Sequence, residues 1–210
     1  SGAGKSFSAG ADLNWMKQSL NLTREQNLED AQRLADMLLA LDRLTVPMVG
    51  MIHGAALGGG VGLVSVCDYA VAISDTQFSF SEVRLGIVPA CIAPFVIRKI
   101  GSGHARALFT TAERFDARKA YDIGLIHAVV SSNDELMQLT NKKVEEIKDC
   151  SPNALHTAKK LIFDLVTTDD RNQLQMVSEV LAGVRVSEEG QEGVRAFLEK
   201  RRPSWSESKE

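Results

Sequence analysis

The sequence has few of the residues that cross-link a chain or bind metal ions. Its 210 residues include only three cysteines, five prolines and four histidines. Cys67, Cys91 and Cys150 are too far apart for a metal knuckle or a CxxC redox pair, and the histidines lack metal spacing. We therefore expect no metal site. Free thiols are the usual state of cysteine in a reducing compartment, which favours a cytoplasmic protein.

Long apolar runs and an excess of one charge are also lacking. The net charge of −3 gives no electrostatic reason to expect a nucleic-acid partner. No apolar run approaches the length of a bilayer span, so we expect no membrane partner either. The 44% of hydrophobic and 24% of charged residues are ordinary for a globular protein and can form a sizeable core.

Apolar periodicity predicts strands with helices in the first half of the chain and helices alone in the second. Thr23, followed three residues later by Gln26, predicts the capping box of a long helix. A short apolar strand over 48–53 leads into the glycine-rich turn 54–62, and 1–14 is predicted to be loop. The fold class is therefore α/β with a helical C-terminal part. Further strands are expected at 69–73 and 77–81, and further helices at 104–111, 117–121, 133–149, 152–167, 170–182 and 187–200, with Asp116 and Ser151 as N-caps.

Two nucleotide-binding patterns are incomplete. Gly4-Lys5-Ser6 resembles the end of a phosphate loop, but the pattern needs a glycine before the chain begins. The glycines at 58, 59, 60 and 62 follow a strand and precede a helix, but Leu63 stands where a dinucleotide fingerprint needs glycine. This turn fits close packing as well as it fits backbone N–H groups that face a ligand.

A second stretch of small residues and one acid point to carbonyl chemistry. Residues 8–12 (SAGAD) and the turn at 58–60 are two bends whose amides could form an oxyanion hole. Glu82 follows an apolar strand and precedes an apolar segment, which would raise its pKa towards the range of a general acid or base. From the local sequence alone, a surface glutamate at a strand end, paired with Arg84, is the favoured interpretation of Glu82. His53 and Asp68 are expected to have structural roles.

Taken together, these segments resemble the crotonase, or enoyl-CoA hydratase/isomerase, family. The resemblance rests on residues 7–13 (FSAGADL), on 49–60 (VGMIHGAALGGG), and on Glu82 followed by Gly86 and Pro89. It continues in order through 113–117, 124–127 and 197–201 and so covers essentially the whole chain. It implies a spiral of ββα units over 1–140 whose N-terminal strands lie outside the sequence. It also implies a helical region over 141–210 that forms trimers, or hexamers as dimers of trimers.

The resemblance also implies roles for individual residues. The N–H groups of Ala11 and Gly59 would hold the thioester oxygen, with Glu82 as the catalytic acid and base. Coenzyme A enters as part of the substrate, and no separate cofactor is implied. The residues that would line its path are Lys5, Ala9, Ala11, Asp12, Leu13, Asn14 and Gly59, with Phe197 and Lys200 reaching the coenzyme A of a neighbouring subunit.

One departure from the family pattern affects the reaction. Hydratases of the common type carry a second Glu two residues after the glycine triplet, and here that position is Gly62. A single Glu resembles some Δ3,Δ2-enoyl-CoA isomerases. Residues 7–16 and 81–90 instead resemble bacterial methylglutaconyl-CoA and carboxygeranoyl-CoA hydratases of leucine and isoprenoid breakdown. We expect an enoyl-CoA hydratase, with an isomerase or a non-catalytic coenzyme A-binding homologue as alternatives.

Overall fold

The structure is a computed structural model that describes residues 1–167 and 169–206. Helices and strands are interspersed up to residue 130, and helices follow. The strands are β1 (Val49–Ile52), β2 (Ala55–Leu57), β3 (Tyr69–Ile73), β4 (Gln77–Ser79), β5 (Arg114–Asp116) and β6 (Ala128–Val130). The helices are α1 (Leu13–Ser19), α2 (Arg24–Asp42), α3 (Gly59–Ser65), α4 (Ala93–Thr111), α5 (Ala117–Asp122), α6 (Asn133–Lys148), α7 (Pro152–Thr167), α8 (Asp170–Val186) and α9 (Glu188–Glu199). Short 3₁₀ turns span Ser81–Leu85 and Ser204–Ser206.

The strands form two small sheets. One sheet has the order β1-β3-β6, and all of its strands are parallel. The other has the order β2-β4-β5, in which β2 and β4 are parallel and β4 and β5 antiparallel. Because β1 and β2 follow one another in the chain but lie in different sheets, the chain changes sheet at His53-Gly54. This change positions the glycines at 58–60, within the segment 54–62 that was predicted to be a turn, directly after β2.

Phenylalanine side chains from the second sheet form the centre of the core next to the 3₁₀ turn at 81–85. Phe78 and Phe80 are fully buried. Phe78 stacks on Phe115 with ring centroids 5.5 Å apart, and Phe80 meets Phe109 edge to face at 4.8 Å. Each buried phenylalanine contributes roughly 1.5–3 kcal/mol of transfer free energy. The chain that leads from β4 to Glu82 is therefore firmly anchored.

Three helix starts that the sequence predicts, at Thr23, Asp116 and Ser151, are confirmed. In the capping box of α2, Thr23 N–H donates to Gln26 Oε1 at 2.9 Å and Gln26 N–H donates to Thr23 Oγ1 at 3.2 Å. Asp116 Oδ1 accepts from Lys119 N–H at 2.9 Å, and Ser151 Oγ accepts from Ala154 N–H at 3.0 Å. Each of these caps satisfies backbone donors that the first turn of a helix leaves unpaired.

Several short elements differ from the predictions. Helix α1 occupies part of the segment predicted to be loop, because Asp12 caps it. Strands β2, β5 and β6 have three residues each, too few to show a period in the sequence. Helix α4 includes the predicted helix 104–111 but begins earlier, at Ala93, and has a kink at Gly101, whose φ is 76°.

The chain packs as two compact units. The first comprises residues 1–42 and 48–140, and the second comprises 43–47 with the described residues from 141 onward. In the second unit, Glu189 accepts from the Ser151 hydroxyl and from Asn153, so that the starts of α7 and α9 are joined. The oligomerisation role of residues 141–210 stays a prediction. Within the described ranges, no helix has the length and apolarity needed to cross a membrane.

Candidate active site

Backbone pairing brings the two small-residue bends together. Phe7 N–H donates to His53 O at 2.9 Å, and Ser8 N–H donates to Ala55 O at 3.0 Å. In return, Leu57 N–H donates to Ser8 O at 2.9 Å, which makes Ser8 a one-residue parallel extension of the second sheet beside β2. Because both segments run in the same direction, the bends that follow them leave the same edge of the sheet.

Glycines allow these two bends to approach each other closely. A Cβ at Gly60 would stand 2.7 Å from Ser8 Cβ and 2.9 Å from Ser8 O, so only glycine fits there. A Cβ at Gly10 would stand 3.7 Å from Leu57 O, which places the first bend in contact with the second. Gly60 therefore has a packing role that sequence spacing alone leaves undecided, whereas Gly10 has φ 103°, a backbone conformation that favours glycine.

The third segment of the site carries the acid. Gly58 N–H donates to Ser79 O at 2.9 Å, which aligns the glycine turn with the end of β4. The 3₁₀ turn Ser81–Leu85 begins two residues later and carries Glu82. A Cβ at Gly58 would stand 3.1 Å from Glu82 Oε1, so the carboxylate lies against the backbone at the start of α3. Gly58 has φ 52°, a conformation that favours glycine.

The environment of Glu82 suits proton transfer. Burial raises the pKa of Glu82 above its ordinary value, and a hydrogen bond from its own backbone N–H partly offsets this effect. Its Oε2 atom is buried and has no hydrogen-bond partner in the part of the chain that the structure describes. The same part contains no ion pair between Glu82 and the exposed Arg84. A carboxyl oxygen without a fixed partner is available to bind and exchange a proton.

The predicted amide donors lie on the bends described above. Gly59 is the first residue of α3, and Ala11 directly precedes Asp12, the N-cap of α1. Over the described residues, neither the Ala11 nor the Gly59 N–H has a hydrogen-bond acceptor within the protein. Unpaired amides are the donors that a carbonyl oxygen with developing negative charge requires. Here they lie on adjacent bends next to one acid.

The remaining predicted binding residues fall into two places. Lys5, Ala9, Asp12, Leu13 and Asn14 are exposed around the first bend, in the same unit as Glu82. Asp12 also caps α1, since its Oδ1 accepts from Asn14 N–H at 2.8 Å and from Trp15 N–H at 3.0 Å. Phe197 and Lys200 lie in the second unit, where both are exposed at the end of α9. A role for any of these residues in binding coenzyme A stays a prediction.

Two residues with expected structural roles make hydrogen bonds near the ends of β1. His53 Nε2 lies 3.2 Å from Gly4 O, which ties the N-terminal loop to the turn. Asp68 Oδ2 accepts from Met48 N–H at 2.6 Å.

The space beside Gly62 is closed by aliphatic side chains. A Cβ at Gly62 would overlap Ile92 Cγ2 and would stand 3.0 Å from Ile92 Cβ and 3.8 Å from Leu38 Cδ1. Leu38 is 0% and Ile92 2% exposed. Sequence reasoning identified Gly62 but missed its contacts with Ile92 and Leu38, which lie 30 and 24 residues away in the chain. It also missed the contact between Gly58 and Glu82, although the positive φ of Gly58 could be suspected from the glycine run.

Two adjoining bends with unpaired amides beside one half-buried carboxylic acid would suit chemistry next to a carbonyl group. The chain matches the family model for enoyl-CoA hydratase/isomerase over residues 1–208 and belongs to that family. The predicted crotonase fold is thereby confirmed, and structural comparison supports it. A crystal structure of an enoyl-CoA hydratase from Shewanella pealeana superposes with a TM-score of 0.92 at 44% identity, covering 96% of this chain and 76% of that one.

Proteins named as hydratases and proteins named as isomerases are both similar to this chain. A putative enoyl-CoA hydratase of Thermus thermophilus is 30% identical over 202 residues, which are 96% of this chain and 79% of that protein. A peroxisomal Delta(3,5)-Delta(2,4)-dienoyl-CoA isomerase of Arabidopsis thaliana is 31% identical over 216 aligned residues, covering 98% of this chain and 78% of that protein. Family membership therefore leaves the choice between hydration and isomerisation to the site itself.

Proposed function

We propose that the protein hydrates the 2,3 double bond of an enoyl-CoA thioester. The observation that carries this proposal is the half-buried carboxyl group of Glu82, held against Gly58 next to two unpaired amides. Relatives named enoyl-CoA hydratase support it.

In the proposed mechanism, the N–H groups of Ala11 and Gly59 hold the thioester oxygen. Their hydrogen bonds strengthen as that oxygen gains enolate charge, and one such donor is worth about 3–4 kcal/mol in a closed site. Glu82 takes a proton from water while the water oxygen bonds to the β-carbon, and then delivers a proton to the α-carbon. One carboxyl group suffices, because addition to one face needs one proton carrier.

The proposed substrate is a branched, methylglutaconyl-like enoyl-CoA, which would place the protein in leucine breakdown. It rests on the resemblance of segments 7–16 and 81–90. Arg84 is exposed and has no ion-pair partner among the described residues, so it is available for a substrate carboxylate. The coenzyme A portion would follow Lys5, Ala9 and the residues that begin α1. We propose that the reaction uses no metal and no cofactor besides the coenzyme A of the substrate.

We further propose a homotrimer or hexamer in a reducing, cytoplasmic compartment. Exposed apolar side chains of the second unit support self-association, because large apolar surfaces are rarely left in water. They include Leu174, Leu181, Val186, Phe197 and Leu198. Light scattering coupled to size exclusion distinguishes these states from a monomer.

Double-bond isomerisation is the second candidate, and the aliphatic closure of position 62 favours it. In that reaction Glu82 would move a proton between two carbons and no water would be needed. The test is product analysis on paired 2-enoyl- and 3-enoyl-CoA substrates, including methylglutaconyl-CoA. A 3-hydroxyacyl-CoA product supports hydration, and a shifted double bond without added water supports isomerisation. Tight binding of every thioester without conversion would contradict both and would indicate a non-catalytic homologue.

A further inference from the structure

The three consecutive glycines at the start of α3 face three different surroundings. In the Cβ direction of Gly58 lies the Glu82 carboxylate, and in that of Gly60 lies the side chain of Ser8. Gly58 and Gly60 are buried, whereas Gly59 is half-buried and nothing lies within 4 Å of its Cβ position. Gly59, which carries one proposed donor, therefore has Glu82 against the glycine before it and Ser8 against the glycine after it.

The contact between Ser8 and Gly60 joins the two bends. A Cβ at Gly60 would stand 2.7 Å from Ser8 Cβ and 2.9 Å from Ser8 Oγ, so the Ser8 side chain occupies the space beside the Gly60 backbone. Ser8 lies three residues before Ala11, and Gly60 directly follows Gly59. The segments that carry the two proposed amide donors are thus in contact through one small side chain.

Backbone hydrogen bonds hold both sides of this contact in place. The Ser8 N–H donates to Ala55 O at 3.0 Å, and the Ser8 carbonyl accepts from Leu57 N–H at 2.9 Å. The start of α3 is held by Gly58, whose N–H donates to Ser79 O at 2.9 Å. An additional atom in the contact would therefore push the bends apart or strain these hydrogen bonds.

We propose that Ser8 is a positioning residue whose side chain, packed on Gly60, sets the separation of the Ala11 and Gly59 N–H groups. The proposal rests on the proposed function, in which both amides must reach one thioester oxygen. Size is the property that matters, because the Ser8 hydroxyl makes no hydrogen bond to the residues that the structure describes. Hydrogen bonds weaken steeply when their geometry is lost, so a wider separation would leave one donor too few for the developing charge.

Substitutions that enlarge the contact should lower kcat far more than they change KM. Ser8→Cys replaces the hydroxyl oxygen by a larger sulfur, and Gly60→Ala adds a Cβ 2.7 Å from Ser8 Cβ. Each should reduce kcat for an enoyl-CoA by roughly 10–100-fold, as expected when a catalytic donor is displaced. Ser8→Ala removes the hydroxyl without enlarging the contact and should retain most of the activity. Ser102→Cys, on the exposed surface of α4, controls for the added thiol.

The double variant Ser8→Gly/Gly60→Ala moves the side chain from one side of the contact to the other. It removes the overlap of the two Cβ atoms and should recover part of the kcat that Gly60→Ala loses. Additive losses in the double variant would contradict the proposal, because the two positions would then act independently. Equal losses in Ser8→Ala and Ser8→Cys would overturn it, because the hydroxyl would then matter rather than its size.

Infrared difference spectroscopy of bound butyryl-CoA, a saturated thioester that cannot be hydrated, measures the polarisation of the carbonyl group without turnover. The wild type should shift the carbonyl stretching band to a lower frequency than in free butyryl-CoA, and Ser8→Cys and Gly60→Ala should reduce that shift. A loss of stability alone would lower the amount of bound thioester and leave the band where it is. An unchanged band in folded Gly60→Ala therefore overturns the proposal, and Ser8→Cys gives the same test if Gly60→Ala does not fold.

The two measurements also separate this proposal from the proposed function. If the wild type converts no enoyl-CoA while the band responds to the size of residues 8 and 60 as described, the proposed function fails and the positioning role of Ser8 stands. If the wild type hydrates enoyl-CoA but kcat and the band are both insensitive to Ser8→Cys and Gly60→Ala, the proposed function stands and the positioning role fails.

Discussion

Glu82 Oε1 lies 3.1 Å from the point that a Cβ would occupy at Gly58. The carboxyl group of Glu82 is therefore positioned by the missing side chain of Gly58 as much as by its own turn. Because Gly58 also has φ 52°, the same residue permits both the backbone path into α3 and the approach of the carboxylate.

We expect Gly58→Ala to lower both stability and activity. Strain at a positive φ costs about 1–3 kcal/mol, and the new methyl group would push Glu82 from its place. Gly59→Ala is the matched control for stability, because a Cβ at Gly59 has nothing within 4 Å. Chemical denaturation and initial rates measure the two effects. Equal stability of the two variants would show that the close contact at Gly58 is unimportant.

Replacing Glu82 by Gln should separate catalysis from stability. Turnover should fall by roughly 10²–10⁴-fold, as expected for the loss of a general acid and base, while thioester binding persists. The free energy of unfolding at neutral pH should rise, because a partly buried charge is removed. Glu29→Gln, on the exposed face of α2, controls for the change in net charge. Wild-type turnover in the Glu82→Gln protein would exclude Glu82 from the reaction.

The raised pKa of Glu82 should be visible in two pH profiles. If Glu82 acts as a base, kcat/KM should fall as the pH drops through a value above 4.5, the ordinary pKa of the group. The folded state binds the Glu82 proton more tightly than the unfolded state does. The contribution of Glu82 to stability is therefore full below pH 4.5 and is lost as the pH rises through the folded pKa. The difference in unfolding free energy between wild type and Glu82→Gln should show this slope, and a slope of opposite sign would contradict the raised pKa.

Asp12 should affect catalysis indirectly, by fixing the backbone of the first bend. Its Oδ1 accepts from Asn14 and Trp15 N–H groups, and this cap holds the peptide that presents the Ala11 N–H. Asp12→Ala should cost about 1 kcal/mol of local helix stability and should lower kcat more than it raises KM. Asp12→Asn retains the capping oxygen and should restore most of the loss. If Asp12→Asn loses as much activity as Asp12→Ala, the charge of Asp12 matters rather than its capping hydrogen bonds.

Local chemistry made several features predictable from sequence. Thr23 with Gln26, Asp116 and Ser151 mark helix starts, because capping depends on residues only three positions apart. The bends at 8–12 and 58–60 were identifiable from their small residues, whereas Glu82 became the predicted acid only together with the family resemblance. The resemblance to a known family then ordered these segments into one fold, which the family match confirms.

Contacts between distant parts of the chain decided the features that the sequence did not predict. The sequence by itself determined which residue types are available for the site: amides on two bends and one acid. Only the tertiary structure decided that Ser8 pairs with β2, that Glu82 packs on Gly58, and that Ile92 and Leu38 close the space beside Gly62. The physical reason is that local propensity acts over a few residues. Steric exclusion depends on which side chains the fold brings within van der Waals distance, whatever their separation in the chain.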